Sequence, residues 1–192
     1  IYSAQNRTGR TIEYGIREFA MSAVCSGIKL HGGLRPFCAT FLVFADYLRA
    51  QMRVASLMKL TIIYVLSHDS IYVGEYGPTH QPVETLSSLR AIPNVQVLRP
   101  ADAQETLEAW KIAYESKDHP VCIVLTRQAV QGFSKADSNW KENIRKSGAY
   151  IALDCDGKPD ITVLATGSEV SMAIASASLV QGKKIRVLSV ID

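Results

Sequence analysis

Residues 61–66 (Thr-Ile-Ile-Tyr-Val-Leu) form a continuous apolar run of strand length, and no other stretch limits the possible folds as strongly. A strand with one wet face alternates apolar and polar residues. An unbroken run belongs instead in a parallel sheet covered on both faces. The surrounding pattern agrees. Residues 13–30 (Ile16, Phe19, Ala20, Val24, Ile28) and 41–57 (Phe41, Phe44, Leu48, Val54) carry helical spacing, with a short strand at 35–40 between them. Then follow a helix at 83–90, a strand at 95–98, a helix at 101–116 opened by Asp102, and a strand at 121–126. Strands alternating with helices predict a doubly wound α/β domain with a mostly parallel sheet, placed at residues 1–132.

Between 129 and 147 the periodicity fails and Ser, Lys, Asp and Asn dominate, so residues 133–158 are expected to be a linker. Beyond it, a strand at 161–165, the turn Thr166-Gly167-Ser168, a helix at 170–180 and a strand at 185–190 predict a partial second α/β domain at 159–192. One such unit buries too little surface to stand alone. With an Ile at position 1 and a last strand that no helix follows, a fragment of a longer polypeptide is expected.

Composition excludes several partners. The chain has 192 residues, 47% hydrophobic, enough for one sizeable core. Its net charge of +3 is dispersed, without the run of about five or six Lys/Arg that would follow a nucleic-acid backbone. The longest apolar stretches fall far short of the roughly 20 residues that span a bilayer. Cys25, Cys38, Cys122 and Cys155 form no C-x-x-C pair and no metal-ligand spacing with the histidines. They read as reduced thiols of a cytoplasmic protein, and no metal site is expected.

In open α/β sheets ligands lie beyond the carboxyl ends of the strands. His68 directly follows one strand and Arg127 another. His80 sits in Gly77-Pro78-Thr79-His80-Gln81-Pro82, whose prolines stiffen a loop of about 15 residues. Two imidazoles and a guanidinium suit an anionic, oxygen-rich substrate. Glu18 lies inside the first helix, away from an obvious charge row. Phe41, Phe44 and Tyr47 recur at i, i+3 and i+6, a stripe that by spacing alone is more often core than pocket.

Six strings together carry a family resemblance: Tyr14-Gly15-Ile16-Arg17-Glu18-Phe19, Thr40-Phe41-Leu42-Val43-Phe44-Ala45-Asp46-Tyr47, Ser67-His68-Asp69-Ser70, Gly77-Pro78-Thr79-His80-Gln81-Pro82, Leu125-Thr126-Arg127-Gln128 and Ala165-Thr166-Gly167-Ser168-Glu169-Val170. In this order they resemble transketolases, from Thr11 to Asp192. The resemblance implies a pyrimidine-binding domain that lacks its first strand, then the beginning of a C-terminal domain. It implies thiamine diphosphate as cofactor, with Mg2+ or Ca2+ held by a diphosphate-binding domain absent from this sequence. By the same resemblance, Glu18 hydrogen-bonds the aminopyrimidine ring, and Phe41, Phe44 and Tyr47 pack against that ring. His68 and His80 face the substrate, and Arg127 grips a sugar phosphate. The implied activity is transfer of a two-carbon ketol unit between sugar phosphates, by a homodimer whose active site lies between subunits. A fragment alone is expected to be inactive. Alternatives are a related thiamine enzyme, such as a deoxyxylulose phosphate synthase, and a non-catalytic transketolase-like module. One substrate position departs from the family pattern: Tyr76 stands where the family has an aspartate beside the donor's C2 hydroxyl, and Tyr72 replaces a common glycine.

Overall fold

In the computed structural model, which describes residues 1–192, the unbroken apolar run enters the middle of a parallel sheet. Strands β1 (Phe37–Phe41), β2 (Ile63–Ser67), β3 (Gln96–Leu98) and β4 (Val121–Val124) are arranged β1-β2-β4-β3, every pair parallel. Both β2 and β4 are interior strands, which explains why each reads as apolar without alternation. Right-handed crossovers then dictate where the helices lie. From β1 to β2, through α2 (Ala45–Leu57), and from β2 to β3, through α3 (Thr85–Arg90), the chain advances in one direction across the sheet. From β3 to β4 it steps back, so α4 (Ala103–Glu115) falls on the opposite face. Two separate cores reflect this winding: Leu48, Met52, Tyr64 and Leu89 share one, while Ile63, Ile123, Ala109 and Ala113 share the other.

The first helix differs from expectation at its start and in its orientation. α1 spans Glu18–His31, because Gly15 in the left-handed region (φ 63°) and Arg17 (φ −149°, ψ 59°) hold the preceding chain out of helix. Glu18 therefore lies in the first turn, where its charge suits the helix dipole, rather than inside the helix. The buried face is Met21, Ser22, Cys25 and Ser26, not the expected apolar stripe; Ile16 is 93% exposed and Phe19 52%. Small residues let α1 approach the fully buried Tyr64, whose hydroxyl lies 3.0 Å from Ser22 Oγ, and Gln51 Nε2 donates to Ser26 Oγ at 3.0 Å. In α2 the buried face is likewise Ala45, Leu48, Met52, Ala55 and Ser56, leaving Val54 and Leu57 exposed.

Residues 133–158, expected to be a linker, contain α5 (Trp140–Ser147) and β5 (Ala149–Leu153). Of the α5 residues only Ile144 is buried, and with Trp140 one turn before it forms a narrow apolar edge on an otherwise charged helix of eight residues; Gly148, left-handed at φ 71°, ends it. β5 joins β6 (Ile161–Ala165) and β7 (Ile185–Val190) in a second sheet ordered β5-β7-β6, with β5 antiparallel and β6 parallel to β7. α6 (Glu169–Leu179) connects β6 to β7. This small unit is supported by docking. Val187 and Ile191 share one continuous core with α4 and the first sheet.

A buried carboxyl joins the two sheets. Glu105, fully buried in the first turn of α4, accepts from the Tyr150 hydroxyl of β5 (2.6 Å) and the Ser189 hydroxyl of β7 (2.8 Å) on one oxygen. Its other oxygen accepts from the Ala101 N–H at 2.7 Å. Burial pushes this carboxyl above the usual carboxylate range, while the three donors pull it back. Asp102 caps the same helix by accepting from the N–H groups of Gln104 and Glu105, and it also pairs with the buried Lys135. Glu105→Ala should cost about 3 kcal/mol or more in chemical denaturation, because it orphans three buried donors. Glu105→Gln, which keeps an acceptor for the two hydroxyls, should cost about 1–2 kcal/mol. An alanine variant within about 0.5 kcal/mol of the parent would show that the carboxyl contributes nothing net.

Candidate functional site

Three adjacent strands of the first sheet deliver the site. Phe41 is the last residue of β1 and is paired in register with Ser67, the last residue of β2; His68 is the next residue in the chain. Arg127 lies just beyond the carboxyl end of β4, on the other side of β2. His68 takes a left-handed conformation (φ 62°), which costs a non-glycine residue roughly 1 kcal/mol. Its ring lies flat on Phe41, with centroids 3.6 Å apart and planes at 20°, and Nδ1 is 3.0 Å from Ser67 Oγ.

The stiff loop after β2 returns two more rings to the same place. Pro78–His80 is a short 3-10 turn preceded by Gly77 at φ 75°, and it sets the His80 ring edge-on to Phe44 at 5.3 Å, with Nδ1 2.8 Å from Thr79 Oγ1. Tyr76 occupies the middle. Its ring meets Phe41 at 5.7 Å, His68 at 5.7 Å and His80 at 5.3 Å, and the Arg127 guanidinium carbon stands 5.9 Å from its centroid. The structure therefore brings together His68, His80, Arg127, Phe41, Phe44 and Tyr76 as one cluster. A carboxylate at position 76 would draw the Arg127 guanidinium into an ion pair; the phenol ring offers only a weak cation–π contact, worth about 0.5–1 kcal/mol.

The aromatic stripe lies off the core, contrary to what its spacing alone favours. Phe44 is stacked on Phe41 (6.0 Å, 9°), and Tyr47 leans on Phe44 (6.1 Å) while 64% exposed. A ladder of two half-buried rings and one exposed ring is chemically suited to a flat heteroaromatic ligand. Glu18 stands apart from this cluster in the first turn of α1, half-buried, with no ion pair to its histidines or to Arg127. No set of three His, Cys, Asp or Glu side chains is grouped to hold a metal ion. Cys25, Cys38 and Cys122 are buried free thiols and Cys155 is half-buried. No helix is long and apolar enough to cross a membrane.

Burial lowers the affinity of His68 for a proton, and the nearby Arg127 and His80 lower it further, against a smaller opposing pull from Asp69. The ring is consequently neutral near pH 7, able to accept a proton or a hydrogen bond from a hydroxyl. Exposed and unpaired with any carboxylate, Arg127 can turn its fork toward an anion. Two groups behind this surface escaped sequence reasoning. Asp69 and Arg99 form a buried ion pair at 2.6 Å, and Arg99 follows β3 directly, where the strand-end rule that selected His68 and Arg127 applies equally. Arg127→Gln should move the His68 titration upward toward the ordinary imidazole value, read from histidine ring resonances across pH. No upward movement would mean that burial and the neighbouring His80 set it without Arg127.

The sequence comparisons follow the same boundaries as the geometry. The transketolase pyrimidine-binding domain model matches residues 2–132, and the transketolase-like C-terminal domain model matches residues 148–192. A transketolase of Treponema pallidum is 56% identical over 190 residues, covering 99% of this chain and 29% of that protein. Among solved structures, the transketolase from Leishmania mexicana superposes with a TM-score of 0.92 at 41% identity, covering 99% of this chain and 28% of that one. The Pichia stipitis transketolase in complex with sedoheptulose 7-phosphate gives a TM-score of 0.90 at 40% identity, covering 97% and 27%. The chain spans less than a third of the length of these relatives. On a domain match across its first 132 residues and on identity along nearly its whole length, the chain belongs to the transketolase family.

Proposed function

We propose that the polypeptide carrying these residues is a thiamine diphosphate-dependent ketol transferase, moving a two-carbon unit from a ketose phosphate to an aldose phosphate in pentose phosphate metabolism. The observation that carries this reading is the strand-end cluster of His68 and His80 around Phe41 with Arg127 beside Tyr76, a set matched to a polyhydroxylated phosphate ester. Family membership implies the cofactor, which when bound supplies the carbanion equivalent for the two-carbon transfer. In this reading Phe41, Phe44 and Tyr47 flank its pyrimidine ring, and Glu18 holds a proton at a ring nitrogen. The ring of His68 covers one face of Phe41, so Phe44 and Tyr47 offer the freer surfaces. A neutral His68 accepts a proton from a sugar hydroxyl, His80 hydrogen-bonds the carbonyl or hydroxyl beside it, and Arg127 receives the phosphate.

Two features support a site shared between two copies of the chain. The cluster does not line the concavity of about 600 Å3 bounded by Asp102, Phe133, Lys135 and Trp140. The exposed apolar residues of α1 and α2, among them Phe19, Val24, Val54 and Leu57, offer a surface for the homodimer. In this reading Mg2+ or Ca2+ is held by protein outside these residues, and the four free thiols support assigning the enzyme to the cytoplasm. Tyr76 bears on the donor: its hydroxyl can hydrogen-bond the C2 hydroxyl but cannot accept as a carboxylate does. Within the full-length polypeptide, His80→Ala and His68→Ala should each lower kcat/KM with xylulose 5-phosphate by about 100-fold or more. Glu18→Ala should abolish turnover, and full activity of that variant would reject the assignment. Pyruvate replacing xylulose 5-phosphate as the better donor would favour the deoxyxylulose phosphate synthase reading.

A further inference from the structure

We infer that Arg99 is a positioning residue for His68, through which docking of the second sheet sets the geometry of the strand-end site; this rests on the reading of His68 as a substrate-facing imidazole. The strained backbone of His68 persists only if both its neighbours are anchored. On one side, Ser67 is held by pairing with Phe41. On the other, Asp69 is buried, and its Oδ2 accepts from Arg99 Nε at 2.6 Å while Oδ1 has no partner in the chain. Arg99 is thus the only side-chain hydrogen bond that holds the residue after His68.

Arg99 is itself held by the second unit. Its Nη1 donates to the Thr166 carbonyl at 2.8 Å and pairs with Glu169 in the first turn of α6. Its backbone continues the link, N–H to the Ile191 carbonyl at 2.7 Å and carbonyl from the Gly167 N–H at 3.2 Å. Gly167 is shaped for the contact. It is left-handed at φ 59°, and a Cβ there would stand 2.7 Å from the guanidinium carbon. A chain of polar contacts therefore runs from α6 through Arg99 and Asp69 to the residue that carries the imidazole; it is buried at Arg99 and Asp69, 6% and 1% exposed at their side chains, and open to water at Glu169, 37% exposed.

A simple staple between sheets would affect melting temperature and nothing else. A positioning residue would also shift the site. Glu169→Gln loosens the grip on Arg99 without touching Asp69, and Arg99→Lys keeps the charge but loses the fork. In the full-length polypeptide, assayed well below its melting temperature, both variants should raise KM for xylulose 5-phosphate or lower kcat on the order of tenfold. Both should also displace the His68 ring resonances, with thiamine diphosphate affinity unchanged. Should Arg99→Lys fail to fold, Glu169→Gln carries the test alone. Parental kinetics and parental His68 resonances in the folded variants would overturn the inference, whatever their melting temperatures. Loss of activity in His68→Ala alongside that result would leave the assignment of the site standing, whereas an active His68→Ala would remove its basis.

Discussion

The carboxyl of Glu105 connects this molecule's two halves. Removing it from water is costly, and the cost is offset only because three donors from separate parts of the chain converge on it: the Tyr150 and Ser189 hydroxyls of the second sheet and the Ala101 N–H that precedes α4. An apolar contact at this point would tolerate sliding; a fully satisfied buried carboxyl specifies one docking geometry. That geometry in turn sets the backbone of Arg99 against Ile191 and Gly167, and so the direction in which its guanidinium leaves the end of β3. The small sheet, too slight to hold together by itself, is stabilised by the same contacts that orient it.

The site is built on the opposite principle. Its groups gather because parallel strands end side by side, so residues distant in sequence meet at one edge: Phe41 at the end of the first strand, His68 after the crossover through α2, Arg127 after the return to β4. Stacking of His68 on Phe41 desolvates the imidazole, and Arg127 and His80 place positive potential beside it, so that all three disfavour its charged form. Tyr76 adds no negative charge to counter this. The chemistry is therefore that of a neutral imidazole beside a free guanidinium, which suits accepting a hydroxyl proton near a phosphate.

Sequence patterns revealed these features unevenly. The strand content of β2 and β4 was plain, because interior parallel strands are apolar on both faces. The strand-end rule found His68 and Arg127. It applies equally to Arg99, and the Asp102-Ala103-Gln104-Glu105 spacing of a capping box is a signal for Glu105. The apolar stripes of the first two helices misled, since Ile16, Phe19, Val24 and Val54 face outward while Ser22, Cys25 and Ser26 are buried against Tyr64. α5 and β5 lie in the span read as a linker: the apolar edge of α5 is only Trp140 and Ile144 in eight residues, too short to stand out among charges, and the apolar run of β5 is only five residues long beside a polar stretch.

By itself the sequence determined the alternation of strands and helices, the strand ends at which chemistry belongs, and the family, because each depends on local periodicity or on short strings of residues. The tertiary structure alone decided which helix faces are covered, that Tyr76 would stand at the centre of the imidazole cluster, and that residues 69, 99 and 169 would be linked. Those outcomes depend on burial and on contacts between residues far apart in sequence. A pattern of neighbours along the chain has no term for either.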